Sequence, residues 1–332
     1  MSLRLTILAG VATLAATGSL LRRAAISMSA SAPCTPYVKS ARQQCLLISN
    51  SKVAGLDYLE HVLSHIIDFL GPQDEKAVVI FVPYAQRDRD AYAAKVCAAL
   101  SPVGCTVKSL HEFDSATSRL EAIRGASAIF VGGGNTYRLL KCLQQDPELL
   151  PLIASRVRCG ALKYIGSSAG TNLACPTIRN TNDMPIVWPE TLNGLSLVPF
   201  QINTHYIDEA RELQNHMGET RAKRLEEFVE ENDVPVLALR EGATVRVDGE
   251  RAILLGPAKR SPQVTWDGAR LVRRLCDGGA RDVAVGDELD ALMAAADGSG
   301  VAALFDVAPL MSDAGQEARK VGAGVADQLK SG

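Results

Sequence analysis

The chain has 332 residues, of which 47% are hydrophobic, 22% charged and 5% aromatic, and its formal net charge is −2. This composition is typical of a globular protein with a sizeable apolar core, and the length allows one large domain or two ordinary ones. The small net charge and the lack of a Lys/Arg-rich run exclude the electrostatic signature of a nucleic-acid-binding protein.

Residues 1–42 differ in composition from the rest of the chain. No acidic residue occurs before Asp57, and the apolar run near the start is diluted by Thr, Ser and Gly, which makes it too short for a stable membrane span. Arg22 and Arg23 argue against a secretory signal. A Ser- and Arg-containing leader without acids is typical of an organelle transit peptide, whereas a start at Met28 would give a cytoplasmic protein. We therefore predict a leader or disordered segment, with both compartments open.

From Cys45 onward, short apolar runs alternate with amphipathic segments. The predicted strands lie at 45–49, 77–82, 105–110, 128–131 and 162–165. The predicted helices lie at 56–70, 92–100, 115–123, 136–143 and 148–158. The second strand is almost continuously apolar, as expected when both of its faces are buried. This alternation predicts an α/β fold, a three-layer α/β/α sandwich with a mostly parallel sheet.

After Pro185 the pattern is less regular. The predicted elements are strands at 195–198, 201–203 and 234–239, a helix at 222–230, and a hairpin formed by 243–247 and 251–255. The chain beyond Gly268 is rich in Ala, Gly and Asp. We therefore divide the chain into the leader, a main domain at 43–267, and a C-terminal extension at 268–332 that is partly helical with a disordered end.

The eight cysteines form no CxxC pair and show no Cys/His spacing typical of a zinc site. Several of them lie in apolar segments, which favours small buried hydrophobic residues over a disulfide framework. The sequence therefore predicts no metal centre.

The segment Gly166-Ser167-Ser168-Ala169-Gly170 has the G-x-S-x-G pattern of a nucleophile elbow. A serine on a tight turn between a strand and a helix projects its hydroxyl into the cleft at the carboxyl ends of the strands. The flanking glycines let the backbone crowd into that turn. Because a predicted strand precedes the pattern and a helix-compatible segment follows it, we favour a nucleophile at Ser168 over a Ser/Gly-rich loop, and Ser167 should point away from the cleft.

A serine nucleophile needs a general base. Of the five histidines, His205 follows a short strand downstream of Ser168, and we favour it over His216. His61 and His65 lie near the polar boundary of the first predicted helix, so we expect them on the surface.

Two carboxylates could complete a triad, and the residues leave the choice open. Asp183 lies in Asn-Asp-Met-Pro and could instead cap a turn, and Glu241 follows a predicted strand and could instead begin a hairpin. Gly132–Gly134, at the end of another predicted strand, could supply backbone N–H groups to an oxyanion. The alternative, a nucleotide phosphate loop, is weakened because neither G-x-G-x-x-G nor GxxxxGK[ST] is present.

Five segments, in the same order, resemble the peptidase E family of α-aspartyl dipeptidases: IFVGGGNTYRLL, YIGSSAGTNLACPTIRNTNDMPIV, QINTHY, HMGETRAKR and LREGATVRV. The similarity extends from about residue 45 to about residue 264, so the main domain would be the catalytic domain. The resemblance implies a class I glutamine amidotransferase-like fold and serine-type hydrolysis of dipeptides with an N-terminal aspartate. It implies no metal. We also predict that the protein needs no cofactor and is a monomer or homodimer.

The resemblance also implies roles for single residues. They are the nucleophile Ser168, the base His205, the acid Asp183 or Glu241, the oxyanion-hole amides of Gly133, Gly134 and Ala169, and the substrate-binding residues Arg179 and Asn135.

Arg179 is assigned as a clamp because a buried aspartate carboxylate without a cation is costly, although a surface ion pair is its alternative. Two positions depart from the family pattern: Ser167, where bacterial members commonly have Trp, and Thr171, where they have a small apolar residue. We expect both beside the pocket. A hydrolase of β-aspartyl or cyanophycin-type peptides, or a non-catalytic ligand-binding relative, therefore stays open.

Overall fold

The computed structural model describes residues 37–72, 77–208, 218–263, 268–274 and 277–294. Most of the predicted leader, the end of the predicted extension and the rival base His216 lie outside the described residues. Within the described ranges, no helix is long and apolar enough to cross a membrane.

The described chain alternates strands and helices through its first two thirds. The strands are β1 (Gln44–Ile48), β2 (Val78–Val82), β3 (Thr106–Ser109), β4 (Ala128–Val131), β5 (Lys163–Ser167), β6 (Gln201–Tyr206), β7 (Val236–Arg240), β8 (Thr244–Asp248), β9 (Arg251–Leu255), β10 (Ala269–Val272) and β11 (Arg281–Val283). The α-helices are α1 (Leu63–Leu70), α2 (Arg89–Leu100), α3 (Ala116–Gly125), α4 (Thr136–Leu143), α5 (Leu149–Arg158), α6 (Ala169–Ala174), α7 (Arg221–Glu231) and α8 (Asp290–Ala294).

Two sheets organise these elements. The main sheet has the order β3-β2-β4-β5-β1-β8-β9, in which the first five strands are parallel and the hairpin β8–β9 is antiparallel. The second sheet has the order β11-β10-β7-β6, with β6 and β7 parallel to each other. The predicted α/β class, the mostly parallel large sheet and the hairpin are confirmed.

Helices cover both faces of the main sheet because its central strands are apolar on both sides. In β1, Leu46 and Ile48 belong to the apolar cluster that includes α1 and α2. The alternate residues Cys45 and Leu47 belong to the cluster that includes α4, α5 and α6. All four side chains are fully buried. Each buried Leu or Ile stabilises the fold by about 1.5–3 kcal/mol, so the alternation of β1 fixes the three-layer arrangement.

The first predicted helix is shorter than expected. Leu59 has a φ of 61°, a left-handed conformation that interrupts a helical hydrogen-bond ladder, and its N–H donates to the carbonyl oxygen of Ser51 at 2.7 Å. The helix therefore begins only at Leu63. His61 lies in the preceding turns and is fully buried, so its predicted surface position was wrong.

The strand predicted at 195–198 does not form. The N–H groups of Leu195 and Leu197 donate at 2.8 Å to the carbonyl oxygens of Leu173 and Ala174. These carbonyls end α6 and have no intrahelical partner, so the segment caps a helix instead of joining a sheet.

The predicted boundary at residue 267 does not coincide with a break in the fold. The strand β10 begins two residues later and pairs antiparallel with β7. Further along, Leu289, Leu292 and Met293 are buried in the same apolar cluster as the main-sheet strands. The described part of the predicted extension, up to residue 294, is therefore integrated into the fold.

Candidate active site

Ser168 occupies a strained turn between β5 and α6. Its φ of 53° and ψ of −109° are rare for a residue with a side chain and cost about 1–3 kcal/mol. A Cβ atom on Gly170 would lie 2.1 Å from the carbonyl oxygen of Val131, and one on Gly166 would lie 2.6 Å from the carbonyl oxygen of Gly170. Both positions of the pattern therefore require glycine, because neighbouring backbone atoms approach too closely for a side chain. The turn lies between a strand and a helix, as the sequence predicts.

Three side chains form a continuous hydrogen-bonded chain at this turn. The Oγ of Ser168 lies 2.9 Å from Nε2 of His205, and Nδ1 of His205 lies 3.1 Å from Oε1 of Glu241. In the neutral imidazole whose Nδ1 donates to the carboxylate, Nε2 is an acceptor and can take the proton of the serine hydroxyl.

Glu241 is suited to stabilise a positive charge on the imidazole. The hydrogen bond from His205 holds the pKa of Glu241 below its ordinary value, and the nearby positive charge of Arg221 acts in the same direction, against the effect of burial. The carboxyl group is therefore ionised at neutral pH.

Asp183, the other candidate acid, has different partners. Its Oδ2 accepts hydrogen bonds from the N–H of Thr136 at 2.7 Å, from the Thr136 hydroxyl at 2.5 Å and from the Thr181 hydroxyl at 3.2 Å. Among the described residues, no hydrogen bond joins it to His205. Asp183 thus has contacts of the turn-capping kind at the start of α4, although it lines the cavity beside Ser168.

An open cavity of about 770 Å³ lies in front of the serine. Its volume is in the range of pockets that hold small ligands. Both Ser168 and His205 line it, and its cationic lining residues are Lys52, Lys95 and Arg221. The carboxylates Asp88 and Asp183 also line the cavity, so its charged lining is mixed.

The predicted oxyanion-hole amides differ in their partners. Gly133 lines the cavity, but its N–H donates to the hydroxyl of Tyr92 at 2.8 Å. Ala169 is the first residue of α6, where an N–H has no intrahelical acceptor. Gly134 lines the cavity, and no partner of its N–H occurs among the described residues. The amides of Gly134 and Ala169 therefore remain available.

Arg179 and Asn135 do not line the cavity. Arg179 is exposed, and its guanidinium lies over the ring of Phe228, 5.7 Å from the centroid. The Oδ1 of Asn135 accepts from the N–H of Arg138 at 3.0 Å and caps α4, while its Nδ2 donates to the carbonyl oxygen of Met184 at 2.8 Å. In the structure both side chains thus have protein partners, and their predicted substrate-binding roles stay predictions.

Sequence reasoning missed Arg221, which lies in the segment HMGETRAKR at the start of α7. Its guanidinium donates to the carbonyl oxygen of His205 and lines the cavity. A basic residue in one of the five segments that resemble the family, directly before the predicted helix at 222–230, was the available signal.

The two departures from the family pattern do not line the cavity in front of Ser168, as expected from the direction predicted for the Ser167 side chain. Ser167 and Thr171 are fully buried, and neither lines the cavity. The hydroxyl of Thr171 donates to the carbonyl oxygens of Ile48 at 2.7 Å and Gly166 at 2.9 Å. Thr171 therefore connects the start of α6 to β1 and β5.

No group of His, Cys, Asp and Glu side chains within the described ranges could hold a metal ion. The described cysteines, at positions 45, 97, 105, 142, 159 and 175, carry free thiols.

An α/β fold with a serine on a strained strand–helix turn, hydrogen-bonded to a histidine and through it to a carboxylate, defines a serine hydrolase. The family model of Peptidase family S51 matches residues 45–255. The chain therefore belongs to Peptidase family S51 and is a serine peptidase, and the resemblance drawn from its motifs is confirmed.

Similar proteins carry consistent names. The chain is 47% identical over 248 residues to Peptidase E of Streptomyces coelicolor, an alignment that covers 75% of this chain and 94% of the relative. It is 48% identical over 217 residues to a probable alpha-aspartyl dipeptidase of Drosophila melanogaster, covering 65% of this chain and 88% of that protein.

Two solved structures share the fold. A putative Peptidase E protein from Listeria monocytogenes EGD-e matches with a TM-score of 0.50 at 22% identity, covering 65% of this chain and 99% of that chain. A peptidase from an acI-B1 Actinobacterium matches with a TM-score of 0.52 at 13% identity, covering 75% and 98%. At these identities the matches support the fold alone.

Proposed function

We propose that the protein is an α-aspartyl dipeptidase, which hydrolyses dipeptides with an N-terminal aspartate through an acyl-enzyme. The observation that carries the proposal is the hydrogen-bonded chain Ser168–His205–Glu241 at the wall of a cavity with cationic lining residues. The names of the relatives at 47% and 48% identity favour the same substrate.

The reaction follows from the two hydrogen bonds of His205. The hydroxyl oxygen of Ser168 attacks the carbonyl carbon of the aspartyl residue while Nε2 of His205 takes the hydroxyl proton. The imidazolium then donates this proton to the leaving amine, and the second amino acid departs. A water molecule, deprotonated by His205, attacks the resulting ester, and aspartate and the free serine are released.

Two charges develop in this reaction, a negative charge on the oxyanion and a positive charge on the imidazole, and each has its own stabilising groups. We propose that the oxyanion of each tetrahedral intermediate accepts hydrogen bonds from the amides of Gly134, which lines the same cavity as Ser168, and of Ala169, the residue after the nucleophile. The imidazolium is stabilised by Glu241, which we propose as the acid of the triad in preference to Asp183 because it contacts Nδ1 of His205.

Recognition of aspartate requires a cation close to the triad. Only Cα and Cβ separate the side-chain carboxylate from the scissile carbonyl, so the cation must lie near the base. Of the three cationic side chains that line the cavity, Arg221 contacts the backbone of His205. We therefore propose Arg221, in place of Arg179, as the partner of the substrate carboxylate.

A panel of peptides tests the substrate. Asp-Leu should be cleaved at least about 100-fold more efficiently than the uncharged isostere Asn-Leu, because only the aspartate carboxylate can form a charge-assisted hydrogen bond with the guanidinium of Arg221. The tripeptide Asp-Leu-Leu and the β-linked β-Asp-Leu serve as comparisons. Equal rates for Asp-Leu and Asn-Leu would contradict aspartate recognition, and a faster rate for β-Asp-Leu would favour the β-aspartyl alternative.

We propose that the functional unit is a monomer or a homodimer, because all residues in the proposed reaction come from one chain. Light scattering coupled to gel filtration measures the state, and a variant at the active site of one chain should not be rescued by mixing with wild type.

A further inference from the structure

The proposed triad is assembled from two different sheets. Ser168 follows β5 of the main sheet, whereas His205 lies in β6 and Glu241 follows β7, both in the second sheet. The 2.9 Å contact between Ser168 and His205 therefore depends on the relative position of the two sheets.

The carboxyl end of β1 contacts both sheets through consecutive residues. The carbonyl oxygen of Ile48 accepts from the N–H of Ser168 at 3.0 Å. The next residue, Ser49, is fully buried, and its hydroxyl donates to the carbonyl oxygen of Leu239 in β7 at 3.0 Å. The same hydroxyl oxygen accepts from the N–H of His205 in β6, also at 3.0 Å.

Asn50 continues this series toward the proposed acid. Its Oδ1 accepts from the N–H of Gly242 at 2.7 Å, directly after Glu241, and its Nδ2 donates to the carbonyl oxygen of Lys52 at 2.8 Å. The residues 48–50 thus hydrogen-bond to the backbone at or beside each member of the triad.

His205 is the member that most needs such support. Its φ of 55° is left-handed, and the pairing of β6 with β7 is irregular between Asn203 and Tyr206. The N–H of His205 is therefore bonded by the hydroxyl of Ser49 instead of a strand carbonyl. A strained backbone of this kind persists only where its surroundings fix it.

We propose that Ser49 is a positioning residue that holds His205 in line with Ser168 across the junction of the two sheets. Its consequence for turnover rests on the proposed function, whereas its consequence for the geometry of His205 does not. Without the Ser49 hydroxyl, the N–H of His205 loses its acceptor and the left-handed backbone relaxes, which moves Nε2 away from the nucleophile.

The test compares Ser49→Ala with Ser109→Ala. Ser109 is 1% exposed, and its hydroxyl bonds to Nδ1 of His111 at 2.7 Å, at the far edge of the main sheet. We expect Ser49→Ala to lower kcat for Asp-Leu by about 10- to 100-fold with KM within about twofold, because small displacements of a base have effects of this size. Ser109→Ala should keep the wild-type kcat.

A double-mutant cycle separates positioning from general weakening of the fold. If Ser49 acts through His205, Ser49→Ala should change the residual rate of His205→Ala by less than about twofold. A loss of the same size in both backgrounds would overturn the proposal.

A spectroscopic readout tests the geometry independently of any substrate. The Nδ1 proton of His205, hydrogen-bonded to Glu241, should give a resolved downfield NMR signal in wild type and Ser109→Ala, and this signal should shift or disappear in Ser49→Ala.

If wild type fails to cleave Asp-Leu, the proposed function is refuted. The NMR signal would still show whether Ser49 positions His205. If Ser49→Ala does not fold, Ser49→Cys, which keeps the size but accepts hydrogen bonds weakly, takes its place. An unchanged signal with unchanged kcat in the folded variant would overturn the proposal.

Discussion

Replacing Glu241 by Gln should slow the enzyme strongly while leaving the fold intact. The substitution keeps the shape of the side chain and removes the charge that faces Nδ1 of His205 at 3.1 Å. It also allows the amide to donate to Nδ1, which favours the tautomer whose Nε2 carries a proton and cannot accept one from Ser168.

The magnitude follows from the distance and the exposure of the pair. The side chains of His205 and Glu241 are 39% and 36% exposed, so the effective dielectric constant lies between the values for a protein surface and for water, about 20 to 80. At 3.1 Å an imidazolium and a carboxylate then attract each other by about 1–5 kcal/mol. A loss of this size from the transition state lowers kcat between about tenfold and a few thousandfold, and the change of tautomer favours the upper part of that range.

The assay is steady-state hydrolysis of Asp-Leu at pH 7.5, with amine release followed by chromatography. Asp183→Asn is the matched control because it removes the other candidate carboxylate and keeps an acceptor for Thr136. We expect it to change stability more than kcat. Wild-type kcat in Glu241→Gln, together with a collapse of kcat in Asp183→Asn, would refute the assignment.

Three further predictions address the elbow, a buried histidine and the substrate clamp. Gly170→Ala should destabilise the protein by several kcal/mol or prevent folding, because its Cβ would overlap a strand carbonyl oxygen. Gly125→Ala, where a Cβ meets nothing within 4 Å, should be neutral or slightly stabilising in the same thermal denaturation experiment. Burial lowers the pKa of His61 from 6.5 to about 4. The unfolded chain therefore binds a proton there that the folded chain does not. The free energy of unfolding should fall by up to about 3 kcal/mol as the pH drops from 6.5 to 4, and urea titrations should show a flatter pH dependence for His61→Leu. Arg221→Gln should raise KM or lower kcat/KM for Asp-Leu at least about 30-fold with a smaller effect on Asn-Leu, whereas Arg179→Gln should leave both within about twofold.

The elbow was predictable because every interaction that makes it is local. A strand, a Gly-x-Ser-x-Gly turn and a short helix occupy consecutive residues, and the glycines are required by contacts of the same turn and the neighbouring strand. The parallel main sheet was predictable for a similar reason, since strands buried on both faces have a distinctive apolar composition.

The choice between Asp183 and Glu241 could not be made from local pattern. Asp183 is closer to Ser168 in sequence, but a nearby helix start provides hydrogen-bond donors that hold its carboxylate. Glu241 reaches His205 because β6 and β7 are parallel neighbours, so their carboxyl ends lie together. That pairing is a property of the second sheet, which the sequence did not reveal as a separate unit.

The predicted clamp Arg179 and the proposed clamp Arg221 differ for the same physical reason. Arg179 follows the elbow within a few residues, but the intervening chain leads its side chain to the surface, where it packs on Phe228. Arg221 comes from a distant helix whose start lies beside His205. A short distance in sequence from the nucleophile does not determine whether a side chain points into the cavity.

The central claim is that Ser168 forms an acyl-enzyme with the aspartyl group of a dipeptide. Its most direct test is to quench wild type and Ser168→Ala during turnover of Asp-Leu and to map the peptides by mass spectrometry, with the hydrolysis rate measured in parallel. We predict an aspartyl adduct on the wild-type peptide that contains Ser168, and a loss of at least about 1,000-fold in kcat for a folded Ser168→Ala. Hydrolysis of Asp-Leu by Ser168→Ala at the wild-type rate would contradict the account.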